Sequence, residues 1–581
     1  MIVRICALVL VAGCLLAVPG AGLAAGGDRS TPGEILIEPS TPSAVAVRWP
    51  VHGDANGNAS IAVQWRAAGE GAWRAGWPLF RTHPSKVSPE NRVADGVLFA
   101  GSVVDLAPGT DYELRLALAD PDGGDTERTL RVRTAAEPAL PAGLRNRWVV
   151  PYGTGSGAGT QADPFRGLAA ALARAEPGDR LLLAPGEYDA GGTVIGRSGR
   201  TGHPIVIAGP AAGAAVLDGG GKPVLLDASG REHIWIERLT LRNADTLLRA
   251  DKASHLVVRR NRFEFTTNGM IAAGAVYTES TGIHVIDNVF EGPATWPRSR
   301  GNEPVVAVGV TGAGHVVAWN RFHATADAIH NGEFGRISAS DYHNNDIELA
   351  TDDGIEADYA DTNVRVFRNR IVNAFAGISG QPVHGGPVYV YRNFIVNTQY
   401  SPFKLHNHVS GMLLFHNTSL KSRIAFVIDP AKESVNDVVT RNNLFIGTRG
   451  TALYIRATLN RCDFDADGYD IASGVFATWN GRQIRDAREL AGEGGLYGGR
   501  GAIMLGPRRT LKTMWPPERF EAPVDPATAD PALAERSAAI DAGVVLENFS
   551  DGYAGAAPDL GCCEAGAPPV HYGPRPEPAA P

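Results

Sequence analysis

The sequence predicts an all-β protein in which a small β-sandwich precedes a parallel β-helix, a solenoid whose coils stack strand on strand. Short runs that alternate apolar and polar residues fill positions 33–135 between Gly, Pro and Asn clusters, as in antiparallel sandwiches. From about position 205 to 447, asparagines recur every 24 to 32 residues with strand-like segments between them and no helical period. A repeat of that length fits one solenoid coil, with strands ~4.8 Å apart in successive coils.

Composition and charge narrow the classes of function. The 581-residue chain is long enough for two domains, and 44% hydrophobic with 20% charged residues is ordinary for a globular protein. The formal net charge of -8 gives no general attraction for a polyanion, so we do not expect nucleic acid as a partner. An acidic substrate would need local cations or a metal. We expect a monomer.

The first 25 residues have the layout of a secretory signal peptide. Arg4 precedes an apolar run from Ile5 to Val18, and small residues follow it. We therefore expect a secreted or periplasmic protein. The segment Val11-Ala12-Gly13-Cys14 resembles a lipoprotein cleavage box, so lipidation at Cys14 is an alternative. No later segment has the roughly 20 continuous apolar residues that cross a bilayer, so we expect no membrane span.

Residues 33–135 are predicted to form the sandwich. Alternating runs such as Ala44 to Trp49 supply its strands, and the segment Leu106 to Leu114 resembles a turn and strand of fibronectin type III domains. That resemblance implies that Tyr112 packs at a corner and that its hydroxyl ties down the turn. It does not imply a chemistry, and both a spacer and a glycan-contacting module remain open.

A linker at 136–145 leads to the predicted β-helix at 146–565. Near its start, Asp163 can cap a short helix whose first turn begins with Pro164. Phe165, Leu168 and Leu172 would then share one face of that helix and cover the open end of the coil stack.

The repeated asparagines predict a ladder that sets the phase of the coils. Stacked amides at one turn can hydrogen-bond along the solenoid axis and satisfy buried turn backbone. Residues at equal offsets from the asparagine of their own coil should then stack on one line. The predicted ladder residues are Asn261, Asn288, Asn320, Asn345, Asn369, Asn393, Asn417 and Asn443.

An acidic cluster falls inside this ladder. Asp327 and Asp352 each lie seven residues after their ladder asparagine, so we expect them about one strand spacing apart. Carboxylates this close repel one another, and a calcium ion is a common way to hold them ionised together. The candidate calcium ligands are Asp327, Asp352, Asp353 and Glu356.

Lys404 is the candidate base. It lies at offset eleven, as Glu356 does two coils earlier, and the intervening coil supplies Gly380 at that offset. Only seven of the 54 basic residues are lysines, and lysine can lose its proton near another cation whereas arginine cannot. A solvated surface lysine is the alternative. Candidate substrate-binding residues are Arg423, Tyr400, and His384 and His408, which share offset fifteen and should stack.

The repeat resembles the right-handed parallel β-helix of the pectate-lyase-like superfamily over about 300 residues. The acidic cluster and the lysine resemble polysaccharide lyase family 9 more narrowly, in Asp327, in Asp352-Asp353-Gly354-Ile355-Glu356 and in Phe403-Lys404-Leu405. In that family the acidic residues bind calcium and the lysine is the base. Two positions depart from its pattern, because Glu356 replaces an Asp and His406-Asn407 replaces a Gly-Gly pair.

The resemblance implies β-elimination at a uronate of an acidic, pectate-like polysaccharide, with calcium on the substrate carboxylate and Lys404 removing the C5 proton. One alternative is a β-helix glycoside hydrolase with paired aspartates as acid and base, although the Gly-His-Gly and Arg-Ile-Lys signatures of family 28 are absent. A mannuronan C5-epimerase would usually carry Asp-Pro-His-Asp, also absent. A noncatalytic glycan-binding surface protein is a third alternative.

The C-terminal part is predicted to form irregular coils and then a disordered tail at 566–581. Asp463 to Asp467 imitates the start of an EF-hand loop, but Gly474 stands where a bidentate Glu is required, so we do not expect calcium there. In an oxidising compartment, Cys462 is able to pair with Cys562 or Cys563, and the sequence does not decide between them.

Overall fold

The computed structural model describes residues 27–273, 279–298, 305–332, 335–430, 433–472, 475–491, 496–506 and 508–577. The predicted signal peptide and Cys14 lie outside these residues. Within the described ranges, no helix has the length and apolar character that a membrane crossing requires.

Two antiparallel sheets form the N-terminal unit, and their facing side chains, including Trp49, Ile61 and Leu116, make a separate apolar core. The Tyr112 hydroxyl accepts a hydrogen bond from the backbone N of Ala107 at 2.8 Å, which is the turn contact that the sequence predicted. One sheet contains Thr31–Pro32, Leu36–Ile37, Val45–His52, Phe80–Arg81 and Gly96–Val103, and the other contains Ser60–Ala67, Arg74–Gly76, Asp111–Ala119 and Thr126–Arg133.

The rest of the chain confirms a parallel β-solenoid of about 11 turns. Two long sheets of 14 and 16 strands run its length. The 14-stranded sheet consists of Arg145–Val150, Phe165–Arg166, Asp179–Leu183, Ile205–Ala208, Ile234–Glu237, Val257–Arg259, His284–Ile286, Val316–Ala318, Asp341–His343, Val364–Phe367, Val388–Tyr391, Met412–Phe415, Val439–Arg441 and Asp463–Phe464.

The 16-stranded sheet carries the residues of the predicted site. Its strands are Gly186–Asp189, Thr193–Val194, Ala215–Asp227, Leu239–Arg249, Arg262–Ala273, Val289–Glu291, Val306–Val310, Arg321–Thr325, Asp327–Asn331, Asp346–Glu356, Arg370–Gly380, Phe394–Leu405, Thr418–Lys421, Leu444–Gly447, Gly468–Asp470 and Ile503–Leu505.

Shorter elements complete the coils at their corners. Three small sheets contain Ser280–Thr281, Gly312–Ala313 and Ile337–Ser338; Phe426–Ile428, Leu453–Ile455, Ala477–Trp479 and Arg482–Ile484; and Ser434–Asn436 with Thr458–Asn460. Among the residues that the structure describes, the helices are the α-helix Leu168–Leu172 and the 3₁₀ turns Pro89–Asn91, Ala487–Leu490 and Pro526–Thr528.

Side chains that repeat in successive coils fill the solenoid interior. Ile347, Ile371 and Ile395 oppose one another on neighbouring strands and are fully buried. Elsewhere Phe290 stacks between Phe263 and Phe322, with ring centroids 4.8 and 4.7 Å apart. The coil repeat in the sequence is therefore a repeat of core positions, and its burial stabilises the stack.

The asparagine ladder is present from Asn261 to Asn443. At each step the side-chain Nδ2 and the backbone N donate to the Oδ1 of the next ladder residue, as from Asn345 to Asn369 at 2.9 and 3.0 Å. The ladder ends on Asp467, whose Oδ1 accepts from Asn443 in the same way. The segment that imitates an EF-hand loop therefore supplies the last position of the ladder.

The helix near the start of the solenoid is shorter than predicted. It spans Leu168–Leu172 with Gly167 at its N-cap, and Phe165 belongs to a strand. Asp163 does not cap it, because its carboxylate accepts from the backbone N of Ala158 and pairs with Arg166 in the preceding loop.

The sandwich packs directly against the solenoid through buried polar contacts. Asn363 donates to the Glu38 carboxylate, and the Tyr389 hydroxyl accepts from the backbone N of Ser102 at 3.1 Å. The Asn548 side chain accepts from the backbone N of Val104 at 2.8 Å. These contacts join the sandwich, the coils and the C-terminal segment in one body.

Two predictions for the C-terminal region were wrong. Cys462 lies in the solenoid core, whereas Cys562 belongs to a separate apolar cluster beside Cys563, so Cys462 pairs with neither and all three thiols are free. Residues 566–577 are not a disordered tail, because Arg575 pairs with Asp287 at 2.9 Å and lies 3.8 Å from the Trp319 ring centroid.

Candidate active site

The register of the acidic strands differs by one residue from the predicted phase. Ile329 and His330 oppose Ile355 and Glu356, so Asp327 is level with Asp353 and not with Asp352. The backbone N of Asp353 donates to Asp327 Oδ1 at 2.9 Å. The cause is a bulge after Ala350, which gives this coil one residue more than its neighbours.

A line of four side chains runs across successive strands of the 16-stranded sheet. His330 opposes Glu356, Glu356 opposes Ser379, and Ser379 opposes Lys404. The prediction that Glu356 and Lys404 share a line was right, but Ser379 and not Gly380 lies between them. The coils of Glu356 and Lys404 each contain a bulge with one residue more than the coil of Ser379. Residues at the same offset from the ladder asparagine therefore do not oppose one another there.

Lys404 reaches past Ser379 to the buried carboxylate of Asp353. Its Nζ lies 2.7 Å from Asp353 Oδ2, and the lysine side chain is 11% exposed. Burial by itself would lower the pKa of Lys404, but the charge and hydrogen bond of Asp353 outweigh it and raise that pKa above its ordinary value. The amine is therefore held protonated, whereas the sequence led us to expect a lowered pKa.

Burial and mutual repulsion raise the pKa values of the deepest carboxylates. Burial is the larger cause for Asp327, and the charges of Glu356 and Asp353 add to it. For Asp353, burial raises the pKa to about 7 despite the opposing effect of Lys404. The electrostatic crowding that the sequence predicted is thus present.

Asp358 and His330 belong to this cluster and were not predicted. Asp358 is buried, accepts a hydrogen bond from Ser379 Oγ at 2.7 Å, and has a pKa raised by burial and by the charge of Glu356. His330 Nε2 lies 2.7 Å from Glu356 Oε2; burial would raise the pKa of Glu356, but the hydrogen bond and charge of His330 lower it. Asp358 follows Glu356 by two positions, and that spacing was the available signal in the sequence.

Arg298 pairs with Asp352 at the acidic cluster. Its Nη1 lies 2.9 Å from Asp352 Oδ1, and its guanidinium lies 4.3 Å from the ring centroid of Phe375. Phe375 stacks on Tyr400 with centroids 5.7 Å apart, and the Tyr400 hydroxyl contacts His406 Nε2 at 2.8 Å. Tyr400 therefore belongs to a half-buried aromatic row on the coils that carry the acidic cluster. Arg298 comes from a loop outside the repeat, so coil phase could not predict it.

The other predicted substrate residues lie apart from the acidic cluster. His384 and His408 both line a cleft beside the sandwich. There His384 is near Tyr359, and His408 Nδ1 accepts from the backbone N of Ser434 at 3.1 Å. Arg423 is exposed at a turn, and within the described ranges its side chain forms no ion pair with the acidic residues.

The carboxylate oxygens are the ligand type that a hard cation such as calcium prefers, but they are not arranged as a preformed metal site. Asp353 Oδ1 is buried without a hydrogen-bond partner, and the raised pKa values of Asp327 and Asp353 show that added positive charge would be stabilised. Within the described residues, no group of three or more His, Cys, Asp and Glu side chains is arranged to hold a metal ion. Three of the four predicted ligands instead contact basic side chains of the protein, so cation binding requires some of these contacts to open.

Comparisons with known proteins give similarities of fold. No family model and no curated protein matches the sequence. A pectate lyase, Pel9A, is similar in structure with a TM-score of 0.42 and 17% identity, over 73% of this chain and 97% of that one. An alginate lyase of the PL6 family, AlyGC, has a TM-score of 0.33 and 12% identity, over 66% and 56%. The catalytic domain of a GH87 α-1,3-glucanase has a TM-score of 0.31 and 9% identity, over 82% and 91%.

Proposed function

We propose that this chain is a polysaccharide lyase that cleaves a uronate-containing, pectate-like polysaccharide by β-elimination, with Lys404 as the base. The observation that carries the proposal is the contact of the Lys404 amine with Asp353 inside a cluster of crowded carboxylates. An amine beside several carboxylates on neighbouring strands of one sheet supplies the groups that proton abstraction next to a substrate carboxylate needs.

The residues of this chain divide the work of such a reaction. Lys404 must first leave its ion pair with Asp353, because that contact keeps the amine protonated. Once the pair is open and the proton released, the amine is able to accept the proton from the carbon beside the uronate carboxylate. The C4–O4 glycosidic bond then breaks as the C4–C5 double bond forms, and the departing O4 takes up a proton from water. Arg298 is placed to pair with a second uronate carboxylate when it leaves Asp352.

We also propose calcium as the cofactor. When bound, it would supply positive charge that acidifies the carbon-bound proton and neutralises the carboxylates. Asp327, Asp353 and Glu356 would hold it, and Asp352 would join them if Arg298 is displaced. The unpartnered Asp353 Oδ1 supports this assignment.

A glycoside hydrolase is the second candidate, and the pKa of Asp353 favours it. Burial raises that pKa to about 7, and a raised pKa is what a carboxyl group needs to act as the general acid. In that reaction a second carboxylate would activate water on the opposite face of the sugar. A noncatalytic glycan-binding solenoid is the remaining alternative.

One assay separates these functions. The purified protein is incubated with polygalacturonate and with alginate, with and without EDTA, while ultraviolet absorbance of unsaturated product and the release of reducing ends are followed. The lyase predicts absorbance that EDTA abolishes. Reducing ends without absorbance would identify the hydrolase, and binding without either product would identify a noncatalytic protein.

A further inference from the structure

A cleft of about 820 Å³ lies between the sandwich and the solenoid, outside the acidic cluster. One wall is the sandwich loop at 85–92, and the other is made by turns that include Tyr359, His384 and Asn407. Neither unit forms this cleft alone, so its shape depends on how the sandwich packs.

Contacts between the sandwich and the solenoid join the two walls of the cleft. Gly385 lies directly under Val87, because a Cβ added at Gly385 would be 2.6 Å from Val87 Cγ1. Arg336 of the solenoid joins the two walls, since it pairs with Glu90 of the sandwich at 3.2 Å and with Glu279 at 2.7 Å. The cleft is therefore a built feature of the interface.

The sandwich wall presents two cations without partners. Lys86 and Arg92 line the cleft, and within the described part of the chain neither has an ion pair or a side-chain hydrogen bond. The carboxylates of the lining, Glu90 and Glu279, are both engaged by Arg336. In a chain of net charge -8, the cleft thus offers local positive charge to an anion.

The opposite wall continues from the strands of the acidic cluster. Tyr359 follows Glu356 by three residues, and Asn407 follows Lys404 by three. Three residues span at most ~10 Å of chain, so the cleft begins within about that distance of both. The Tyr359 ring, near His384 with centroids 6.2 Å apart, adds an aromatic surface for a sugar ring.

We propose that this cleft is a glycan subsite in which Lys86 and Arg92 pair with carboxylates of a polyuronate chain, at units beyond the bond that is cleaved. The proposal rests on the proposed function for its substrate class. It gives the sandwich a role as one wall of the substrate path and not as a spacer. His384, predicted from the sequence to bind substrate, would lie against the sugar on the solenoid side.

The test is the affinity of oligogalacturonate and of oligomeric alginate, measured by calorimetry at low and at moderate salt. The cleft variant is Lys86→Ala with Arg92→Ala, and the matched control is Lys222→Ala with Arg131→Ala, which removes two exposed cations elsewhere. Thermal unfolding checks that both variants fold as the wild type does. We expect about tenfold weaker binding and a smaller salt dependence for the cleft variant, and no change for the control.

Two results would overturn the subsite: equal affinity of wild type and cleft variant for both glycans, or no binding of either glycan by the wild type. Failure of the lyase proposal has a different signature. A wild type that binds the glycan, loses that binding in the cleft variant and forms no unsaturated product would disprove the lyase and support the subsite.

Discussion

Lys404 Nζ lies 2.7 Å from Asp353 Oδ2, although the two residues are 51 positions apart and their strands are separated by a third. The contact places a protonated amine among carboxylates that burial would otherwise leave uncompensated. It also means that the proposed base is not ready to accept a proton in this state. The amine must lose both its partner and its proton before it can act.

Lys404→Arg should abolish activity without unfolding the protein. Arginine keeps the positive charge beside Asp353 but does not lose its proton, so the fold should persist while proton abstraction fails. We expect kcat/KM on polygalacturonate or alginate to fall by at least about 10³-fold, with an unfolding temperature close to that of the wild type. Lys222→Arg at an exposed position is the control. A Lys404→Arg enzyme with wild-type activity would remove Lys404 from the role of base.

Calcium should stabilise the protein if the carboxylates bind it. A ligand that binds only the folded state adds about 2.7 kcal/mol at a hundred times its Kd, so the unfolding temperature should rise with calcium concentration. Asp353→Asn should remove most of that rise, because it deletes a central carboxylate. Asp189→Asn, at an exposed strand position, should keep it. An unchanged calcium response in Asp353→Asn would assign the ion to another site.

The ladder predicts a large cost for Asn369→Ala. The substitution leaves the backbone N and Nδ2 of Asn345 without their acceptor in a buried turn, and it removes the donor to the Tyr342 carbonyl. Unsatisfied buried groups of this kind cost about 1–3 kcal/mol each, so we expect a loss of about 2–5 kcal/mol in the free energy of unfolding. Urea denaturation measures it. The exposed Asn146→Ala should change stability by less than about 0.5 kcal/mol.

Acid should destabilise the fold through His315. Its Nδ1 accepts from the backbone N of Ile283 and its Nε2 donates to the Thr311 carbonyl, so the neutral ring satisfies both, and burial lowers its pKa to about 4. The unfolded chain takes up this proton below about pH 6.5 and the folded chain only below about 4. Stability from this group is thus lost as pH falls between these values, by up to about 3 kcal/mol.

The comparison with His315→Gln isolates that effect. The difference in unfolding free energy between wild type and variant should shrink as pH falls from 6.5 to 4, because only the wild type carries the titrating ring. Other buried groups, such as Asp467 with its raised pKa, contribute equally to both proteins and cancel. A difference that stays constant with pH would show that His315 is not held neutral in the fold.

Several features of the fold could be predicted because each coil has the same turn with the same buried backbone groups. A turn that buries backbone groups needs a side-chain amide at the same place in every coil. The repeated asparagines from Asn261 to Asn443 supply these amides, so the repeat is visible in the sequence. The sandwich was readable for a similar reason, since alternating runs reflect strands with one buried face. The Tyr112 contact at its turn depends on neighbouring residues alone.

Features that depend on contacts between several chain segments could not be predicted from the sequence. Because of the bulge after Ala350, Asp327 lies level with Asp353 and not with Asp352. The salt bridge to Asp353 raises the pKa of Lys404, whereas the sequence led us to expect a lowered pKa. The packing of the sandwich against the solenoid could not be predicted either, because no sequence repeat relates the residues that make its contacts.

The β-solenoid, its ladder and the residue types of the site could therefore be predicted from the amino-acid sequence, because these depend on periodicity and local chemistry. The three-dimensional fold was needed to show which carboxylate contacts Lys404, that Arg298 and His330 join the cluster, and that the sandwich forms one wall of a cleft. The physical reason is that such contacts depend on register between coils and on packing between distant segments, where one inserted residue changes every partner.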